Sequence, residues 1–277
     1  PEILMGADAY EHLPGILRQY GYENVDISCR QNADAFDLNM LHSFHEANGR
    51  LENSGRWPQA AGRWLGMPTA YFLKSSGERL RDRLLHAAGV KEFEAAYDEV
   101  VDKQELTLDY DARRLERLLG LIRSDRRRPF FAHVHLLWTH GPSFYSPNPV
   151  FSEKGQQQEP FERDFYDDAI LDADGVLAKI AEALASSKQL DRTIVVLSSD
   201  HGRQWGSGRI PLIFWFPGGA HAGRIRTNAQ NLDVAPTLLD YLEIPKPEWM
   251  EGVSLLAGDP PAERPVINTA ANSGVVD

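Results

Sequence analysis

The sequence has very little cysteine. Among 277 residues there is a single one, Cys29, and this excludes an internal disulfide and any cysteine-rich metal site. Basic residues are also scarce relative to acidic ones, since 29 Lys and Arg against 40 Asp and Glu give a formal net charge of −11. Because binding to a phosphate backbone requires clustered positive charge, a nucleic acid is not an expected partner.

Long apolar runs are missing as well. The longest, at residues 194–197 and 210–216, have the length of strands, whereas a membrane-spanning helix needs about 20 apolar residues. The sequence therefore predicts no membrane span in this chain. An initiating methionine and a signal-peptide pattern are also absent. A start at Pro1 is typical of a piece of a longer protein, and the parent protein can carry membrane helices of its own.

What is present is the composition of a folded domain, with 42% hydrophobic and 25% charged residues. Strands are predicted at residues 130–137, 194–197 and 210–216. Amphipathic helices are predicted at residues 161–187 and 233–242. This alternation predicts the α/β class, as a three-layer sandwich around a mostly parallel sheet. The unalternated β-branched run at 194–197 is typical of a strand buried on both faces.

We assign residues 1–257 to this α/β domain and residues 258–277, rich in Pro, Ala and Asn, to a C-terminal surface extension. Residues 28–127 form its irregular and helical part, rich in insertions. Within it, residues 28–70 are predicted as loops and short helices laid over the core, with a substrate-facing insertion as the alternative. Residues 76–123 are predicted as charged helices. Their apolar positions form two stripes, one of Leu80, Leu84, Leu85 and Ala88 and one of Leu115, Leu118, Leu119 and Ile122.

Two polar clusters follow predicted strands, at the end of the sheet where ligands collect in open α/β folds. One holds His140 in a Thr-His-Gly-Pro turn, and the other holds Asp200 and His201 in a Ser-Asp-His-Gly turn. A carboxylate beside an imidazole suits Zn²⁺ or Mn²⁺, and further carboxylates would accommodate Ca²⁺. The alternative is a turn that caps the next element with its histidine hydrogen-bonded. Since an ion takes at least three or four ligands, two residues do not complete a site.

The other titratable candidates have a structural interpretation. His133 and His135 share one face of a strand, where hydrogen-bonded core histidines are favoured over a metal-binding pair. His140 differs because it lies at the end of its strand, where an imidazole can hold an anionic substrate or protonate a leaving group. Four acids are interpreted as the polar face and first turn of a helix: Asp167, Asp168, Asp172 and Asp174.

Six short motifs follow one another between residues 128 and 256. They are Pro-Phe-Phe to Thr-His-Gly-Pro (129–142), Tyr-Asp-x-x-Ile-x-x-x-Asp (166–174), Asp-x-Thr-Ile-Val-Val to Ser-Asp-His-Gly (191–202), Arg-Ile-Pro-Leu-Ile to Pro-Gly (209–218), Asp-x-x-Pro-Thr-Leu-Leu (233–239) and Glu-Gly-x-Ser-Leu (251–255). In this order they resemble the sulfatase family of the alkaline phosphatase superfamily. Residues 3–22 resemble the segment that follows the family's nucleophile.

The resemblance implies a fold and a set of roles. It implies an alkaline-phosphatase-like sandwich and a metal-dependent hydrolase of sulfate esters, in which a nucleophile on a divalent metal attacks sulfur. Asp200 and His201 would be two metal ligands, and His140 would contact the transferring group or leaving oxygen. Ca²⁺ is the first expectation for the metal, with Zn²⁺, Mn²⁺ and Mg²⁺ as alternatives. The expected partner is a small anionic ester.

The sequence also departs from the family's pattern. The family's nucleophile falls immediately before Pro1 and its N-terminal acidic metal ligands earlier still, so no nucleophile is assigned in this chain and the fragment is expected to be catalytically incomplete. Cys29 does not lie in a Cys-x-Pro-x-Arg context and is not promoted to that role. The segment from 202 to 209 is short, and Arg203 and Arg209 are the basic residues there that are candidates for substrate binding.

Two alternative functions remain open. One is a phosphotransferase or phosphodiesterase of the same superfamily, similar to phosphoethanolamine or glycerol-phosphate transferases. The other is a non-catalytic, sulfatase-like binding domain, which the short 202–209 segment favours. The localisation and the oligomeric state are not predicted.

Overall fold

The computed structural model of the protein divides into two compact units, Pro1–Leu137 and Trp138–Asp277. No described helix is long and apolar enough to cross a membrane. The structure describes residues 12–29, 33–38, 40, 42–52, 64–90, 104–152, 157–203, 209–226, 228–258, 260–261, 263–267 and 275–276.

A mostly parallel sheet forms the centre of the first unit. Its strand order is β3-β2-β1-β4, where β1 pairs in parallel with β2 on one side and β4 on the other, and β3 runs antiparallel to β2. This confirms the mixed α/β class with a mostly parallel sheet. The elements of the unit are α1 (Leu13–Gln19), β1 (Glu23–Ile27), β2 (Glu46–Ala47), β3 (Arg50–Leu51), α2 (Met67–Ala87), α3 (Gln104–Arg123) and β4 (Phe130–Val134).

Strand β1 is buried on both faces. Val25 and Ile27 lie in the core, and so do the polar residues Asn24 and Asp26 that alternate with them. Asp26 accepts hydrogen bonds from Ser28 Oγ (2.7 Å) and the Ala35 amide (2.8 Å), and its Oδ1 lies 2.8 Å from Nδ1 of its cross-strand neighbour His133. The buried carboxylate is thus satisfied. His133 is hydrogen-bonded, as its structural interpretation required, but its side chain is 49% exposed.

The two leucine stripes of the first unit have different environments. In α3 the predicted stripe is buried, with exposures between 2% for Ile122 and 7% for Leu118. In α2, Leu80 and Leu84 are 60% and 62% exposed, so the sequence correctly indicated the helix but not the burial of this face. The short strands β2 and β3 lie in the stretch that was predicted as loops and short helices. Two residues are too few to produce the alternation by which a strand is recognised.

The second unit contains the elements that carry the candidate site. Strand β5 is expected from the sequence to be buried on both faces. In the structure its residues are half-buried, and it pairs antiparallel with β6. The helix α4 matches the predicted helix at 161–187. The elements are α4 (Arg163–Ser186), β5 (Val195–Ser198), β6 (Leu212–Trp215), α5 (Val234–Tyr241), β7 (Val266–Ile267) and β8 (Val275–Val276).

The C-terminal motifs form a hydrogen-bonded hub centred on Asp233, directly before α5. The carboxylate of Asp233 is completely buried and accepts from the Gln230 amide (2.9 Å), the Val253 amide (2.9 Å) and Arg264 Nη1 (2.7 Å). Thr237 Oγ1 accepts from a further backbone amide of the 251–255 motif. The motif residues Asp233 and Thr237 therefore hold the 251–255 segment against the start of α5.

Asp168 of α4 is not on a polar face, contrary to the sequence interpretation. It is 1% exposed and its carboxylate accepts hydrogen bonds from the hydroxyl of Ser152 (2.6 Å) and from the backbone amides of residues 150 to 152. Burial alone would raise the pKa of Asp168, but these hydrogen bonds outweigh it and lower the pKa to about 2. The charged carboxylate thus ties the loop at 150–152 to the helix.

Replacing Asp168 by Asn is expected to destabilise the protein by about 1–2 kcal/mol at neutral pH, because an amide has one acceptor oxygen for four donors. The pKa in the folded state lies below the ordinary value of 3.8. The stabilisation is therefore complete above about pH 4 and is lost as the pH falls towards 2. Urea denaturation of wild type and variant from pH 7 down to pH 3 measures this difference. Asp174→Asn, an exposed site on the same helix, is the control; a difference that did not shrink with falling pH would contradict the account.

Candidate active site

The candidate site is the turn that follows β5. Here Ser199 Oγ donates to the carbonyl of His201 (2.6 Å), and Asp200 Oδ1 accepts from the His201 amide (2.9 Å). The same Oδ1 lies 3.7 Å from Nε2 of His201, and the side chain of Asp200 is 71% exposed. The turn thus holds one carboxylate oxygen and one imidazole nitrogen side by side at the open end of the strand.

The ring of His201 has a defined proton arrangement. Its Nδ1 lies 2.9 Å from the carbonyl oxygen of Gly202. Since a carbonyl can only accept, Nδ1 must carry the proton in this contact, and in the neutral ring Nε2 is left with its lone pair. Nε2 is the nitrogen on the Asp200 side. A histidine whose second nitrogen donates to a backbone carbonyl is the arrangement that metal-ligating histidines adopt.

His140 lies against this pair. The ring centroids of His140 and His201 are 5.7 Å apart in an edge-on arrangement, although 61 positions separate them in the sequence. Burial lowers the pKa of His140, and the charge of His201 lowers it further, while a backbone hydrogen bond at Gly141 and the charge of Asp200 raise it and offset part of the effect. The structure therefore brings together the three residues that the sequence proposed for metal and substrate.

The turn after His140 is fixed by aromatic packing. A Cβ on Gly141 would lie 2.3 Å from Cε1 of Phe161 and 3.2 Å from Cζ of Phe144, so only glycine fits against these rings. The carbonyl of Pro142 accepts from the Phe161 amide (2.6 Å) and from Gln157 Nε2 (2.9 Å). The position of His140 is thus determined by the packing of the segment that follows it.

The two candidate arginines have different surroundings. Arg203 is half-buried, and its guanidinium carbon lies 5.7 Å from the ring centroid of Tyr166 in α4, a cation–π arrangement. Arg209 is exposed, and the described contacts do not bring it to the turn after β5. Their predicted role in substrate binding stays a prediction. Cys29 is completely buried.

The donor set of the turn suits part of a metal site. Two ligand atoms that each lie about 2.0–2.5 Å from the same cation are typically separated by a distance similar to the 3.7 Å between Asp200 Oδ1 and His201 Nε2. A carboxylate oxygen and a neutral imidazole are appropriate donors for a divalent cation. However, within the ranges that the structure describes, no group of three or more His, Cys, Asp or Glu residues is arranged to hold a metal ion. The fit is therefore that of two ligands, to which others would have to be added.

Sequence reasoning missed one contact residue of this turn. Asn231 donates from Nδ2 to the carbonyl of Ser199 (2.8 Å), and its Oδ1 accepts from Ser198 Oγ. Thus the amide holds the residues immediately before Asp200. Its only sequence signal is a position two residues ahead of Asp233, and this does not indicate a contact with a strand more than 30 residues earlier.

Comparison with known proteins places the chain in a family. The family model described as Sulfatase matches residues 6–244, and the chain belongs to the sulfatase family. Human Arylsulfatase K is 37% identical over 108 residues, 34% of this chain and 20% of that protein. A choline-sulfatase of Rhizobium meliloti (strain 1021) is 35% identical over 99 residues, 30% of this chain and 19% of that protein.

Two further similarities extend the comparison. The "Multifunctional alkaline phosphatase superfamily protein PehA" of Trinickia caryophylli is 33% identical over 102 residues, 31% of this chain and 20% of that protein. A solved structure described as Ps i-CgsB in complex with k-i-k-neocarrahexaose has a TM-score of 0.49 and 17% identity, covering 88% of this chain and 56% of that one. The chain thus matches about a fifth of the length of these curated relatives.

Proposed function

We propose that the protein to which this chain belongs is a metal-dependent hydrolase of sulfate esters, with its metal at the turn after β5. The observation that carries the proposal is the packing of His140 against His201, with Asp200 alongside. Membership of the sulfatase family supports the ester chemistry. Relatives named as an arylsulfatase and a choline-sulfatase support sulfate as the transferred group.

In this proposal each residue has one task. Asp200 Oδ1 and His201 Nε2 hold a divalent cation, Ca²⁺ by first expectation, while the bond from His201 Nδ1 to the Gly202 carbonyl fixes the orientation of the ring. A bound cation supplies stabilisation of the negative charge on the oxygens of the transferring group. His140 hydrogen-bonds the transferring group or the leaving oxygen. The nucleophile is not assigned to any residue of this chain.

The negative charge of the chain implies that an anionic substrate would be bound through close contacts at the site. With a net charge of −11, the overall field repels an anionic ester. Attraction must therefore come from close contacts, which the cation, His140 and Arg203 would provide. The guanidinium carbon of Arg203 lies 5.7 Å from the ring centroid of Tyr166, and the N–H groups of a guanidinium are suitable donors for an anion.

The test is a substrate comparison with the full-length protein. We expect para-nitrophenyl sulfate to be hydrolysed with a kcat/KM at least about tenfold above that for para-nitrophenyl phosphate. Activity should be lost in EDTA and restored by Ca²⁺, Mn²⁺, Mg²⁺ or Zn²⁺ added singly. EDTA-resistant activity, or no turnover of either ester by the metal-loaded protein, would contradict the proposal, and the second result would favour the non-catalytic binding domain.

A phosphate-ester activity of the same site is the second candidate. The similarity to PehA, whose name describes it as a multifunctional member of the alkaline phosphatase superfamily, favours it. Sulfate and phosphate esters present similar tetrahedral groups, and the residues of the turn do not discriminate between them. The same assay decides, because a kcat/KM for the phosphate ester above that for the sulfate ester replaces the first candidate by the second.

A further inference from the structure

Asn231 is an exposed residue with an unusual pair of contacts. Its Oδ1 accepts from Ser198 Oγ, the last side chain of β5, and its Nδ2 donates to the carbonyl of Ser199 at 2.8 Å. Both bonds join segments more than 30 residues apart in the sequence. One amide group therefore fastens two consecutive residues, and the next residue is Asp200.

The position of Asn231 is itself fixed from the other side. It lies between Gln230 and Asp233, which form a reciprocal capping box, and the carboxylate of Asp233 is held by Arg264 Nη1 at 2.7 Å. The backbone that carries Asn231 is thus tied to the buried hub before α5. A side chain on such an anchored backbone is able to restrain what it touches.

Two side-chain hydrogen bonds of the turn after β5 are local. Ser199 Oγ and Asp200 Oδ1 bond within the turn itself, to the carbonyl and amide of His201, and such local bonds set its shape without fixing its direction. Asp200 is 71% exposed, so packing does not hold it. The turn also has ring contacts, from His201 to His140 and from Arg203 to Tyr166, and the amide of Asn231 adds hydrogen bonds that join Ser198 and Ser199 to the segment directly before α5.

We propose that Asn231 is a positioning residue, which holds the Ser198–Ser199 backbone so that Asp200 and His201 face one cation. The inference rests on the proposed function, since it takes Asp200 and His201 as metal ligands. Residues that orient ligands in this way typically change metal affinity by about 10–100-fold when they are replaced. Because Asn231 is exposed, its loss leaves no cavity, so its effect on folding should be small.

The test uses Asn231→Ala in the full-length protein, with Asn228→Ala as a matched control. Asn228 lies on the same segment and donates to the carbonyl of Arg264, away from β5. Calcium binding is measured by competition with a fluorescent chelator, and Mn²⁺ serves as a second probe. We expect the Kd of Asn231→Ala for Ca²⁺ to rise about tenfold and that of Asn228→Ala to stay within twofold of the wild type.

Two readouts separate positioning from a general loss of structure. Activity of Asn231→Ala should return to within about threefold of the wild type at saturating Ca²⁺, while its Tm stays within about 2 °C; a merely structural defect would lower Tm and would not be rescued by the cation. Ser198→Ala removes the bond from Ser198 Oγ to Asn231 Oδ1 but keeps the bond from Asn231 Nδ2 to the Ser199 carbonyl. Its Kd for Ca²⁺ is therefore expected to lie between those of the wild type and Asn231→Ala. An unchanged Kd in Asn231→Ala, when Asp200→Ala weakens binding, overturns this inference alone. Wild-type affinity in Asp200→Ala, or no binding by the wild type, overturns the proposed function as well.

Discussion

Replacing Asp200 by Asn in the full-length protein is expected to lower kcat/KM for an aryl sulfate by about a thousandfold. The change keeps the size of the side chain and removes the negative charge that would hold the cation. A Lewis-acidic cation contributes several kcal/mol to the stabilisation of the transition state, which corresponds to a factor of this order. Because the carboxylate is 71% exposed, the protein should remain folded, and the loss should appear in catalysis and metal content.

The measurement combines steady-state kinetics with metal analysis of the purified proteins. Asp174→Asn is the matched control, since this acid lies on the exposed side of α4 and should leave both quantities unchanged. His201→Ala is expected to cost about as much as Asp200→Asn, and the double variant little more, because ligands of one cation act as a unit. Turnover and metal content of Asp200→Asn within twofold of the wild type would show that the turn after β5 is not the metal site.

The helices of this fold could be predicted because their apolar periodicity is long. The pattern of α4 placed a helix at 161–187, within two residues of its bounds at Arg163–Ser186. The short strands β2 and β3 could not be predicted, since two residues carry no period. The environment of β5 was also mispredicted. An unalternated apolar run indicates a strand, but the neighbours that bury it are supplied by the rest of the chain.

The candidate site could be predicted in its members but not in its arrangement. His140 and Asp200 were recognised because each follows a predicted strand, where polar residues collect in α/β sheets. The edge-on contact between the rings of His140 and His201 could not be predicted. The turn at His140 depends on the packing of Gly141 against Phe161, and no spacing in the sequence specifies that packing. Asp168 illustrates the opposite error. Its position in the helix fitted a polar face, but the loop at 150–152 covers the side chain and donates hydrogen bonds to its carboxylate.

Replacing Gly252 by Ala is expected to destabilise the protein by about 2–5 kcal/mol, because two costs add. The backbone of Gly252 has φ of +83°, in the left-handed region, and a Cβ there would lie 2.3 Å from the carbonyl oxygen of Leu232. The conformation costs an L-residue roughly 1–2 kcal/mol, and a rigid backbone contact adds roughly 1–3 kcal/mol. Urea denaturation measures the change. Gly175→Ala in α4 is the control. A Cβ at Gly175 meets nothing within 4 Å, so this change should stabilise the helix by roughly 0.5–1 kcal/mol.

Gly252→Ala should also weaken calcium binding, because relief of the clash has to move Leu232, the residue between Asn231 and Asp233. Full stability together with wild-type calcium affinity would show that the hub at Asp233 does not support the turn that carries Asp200.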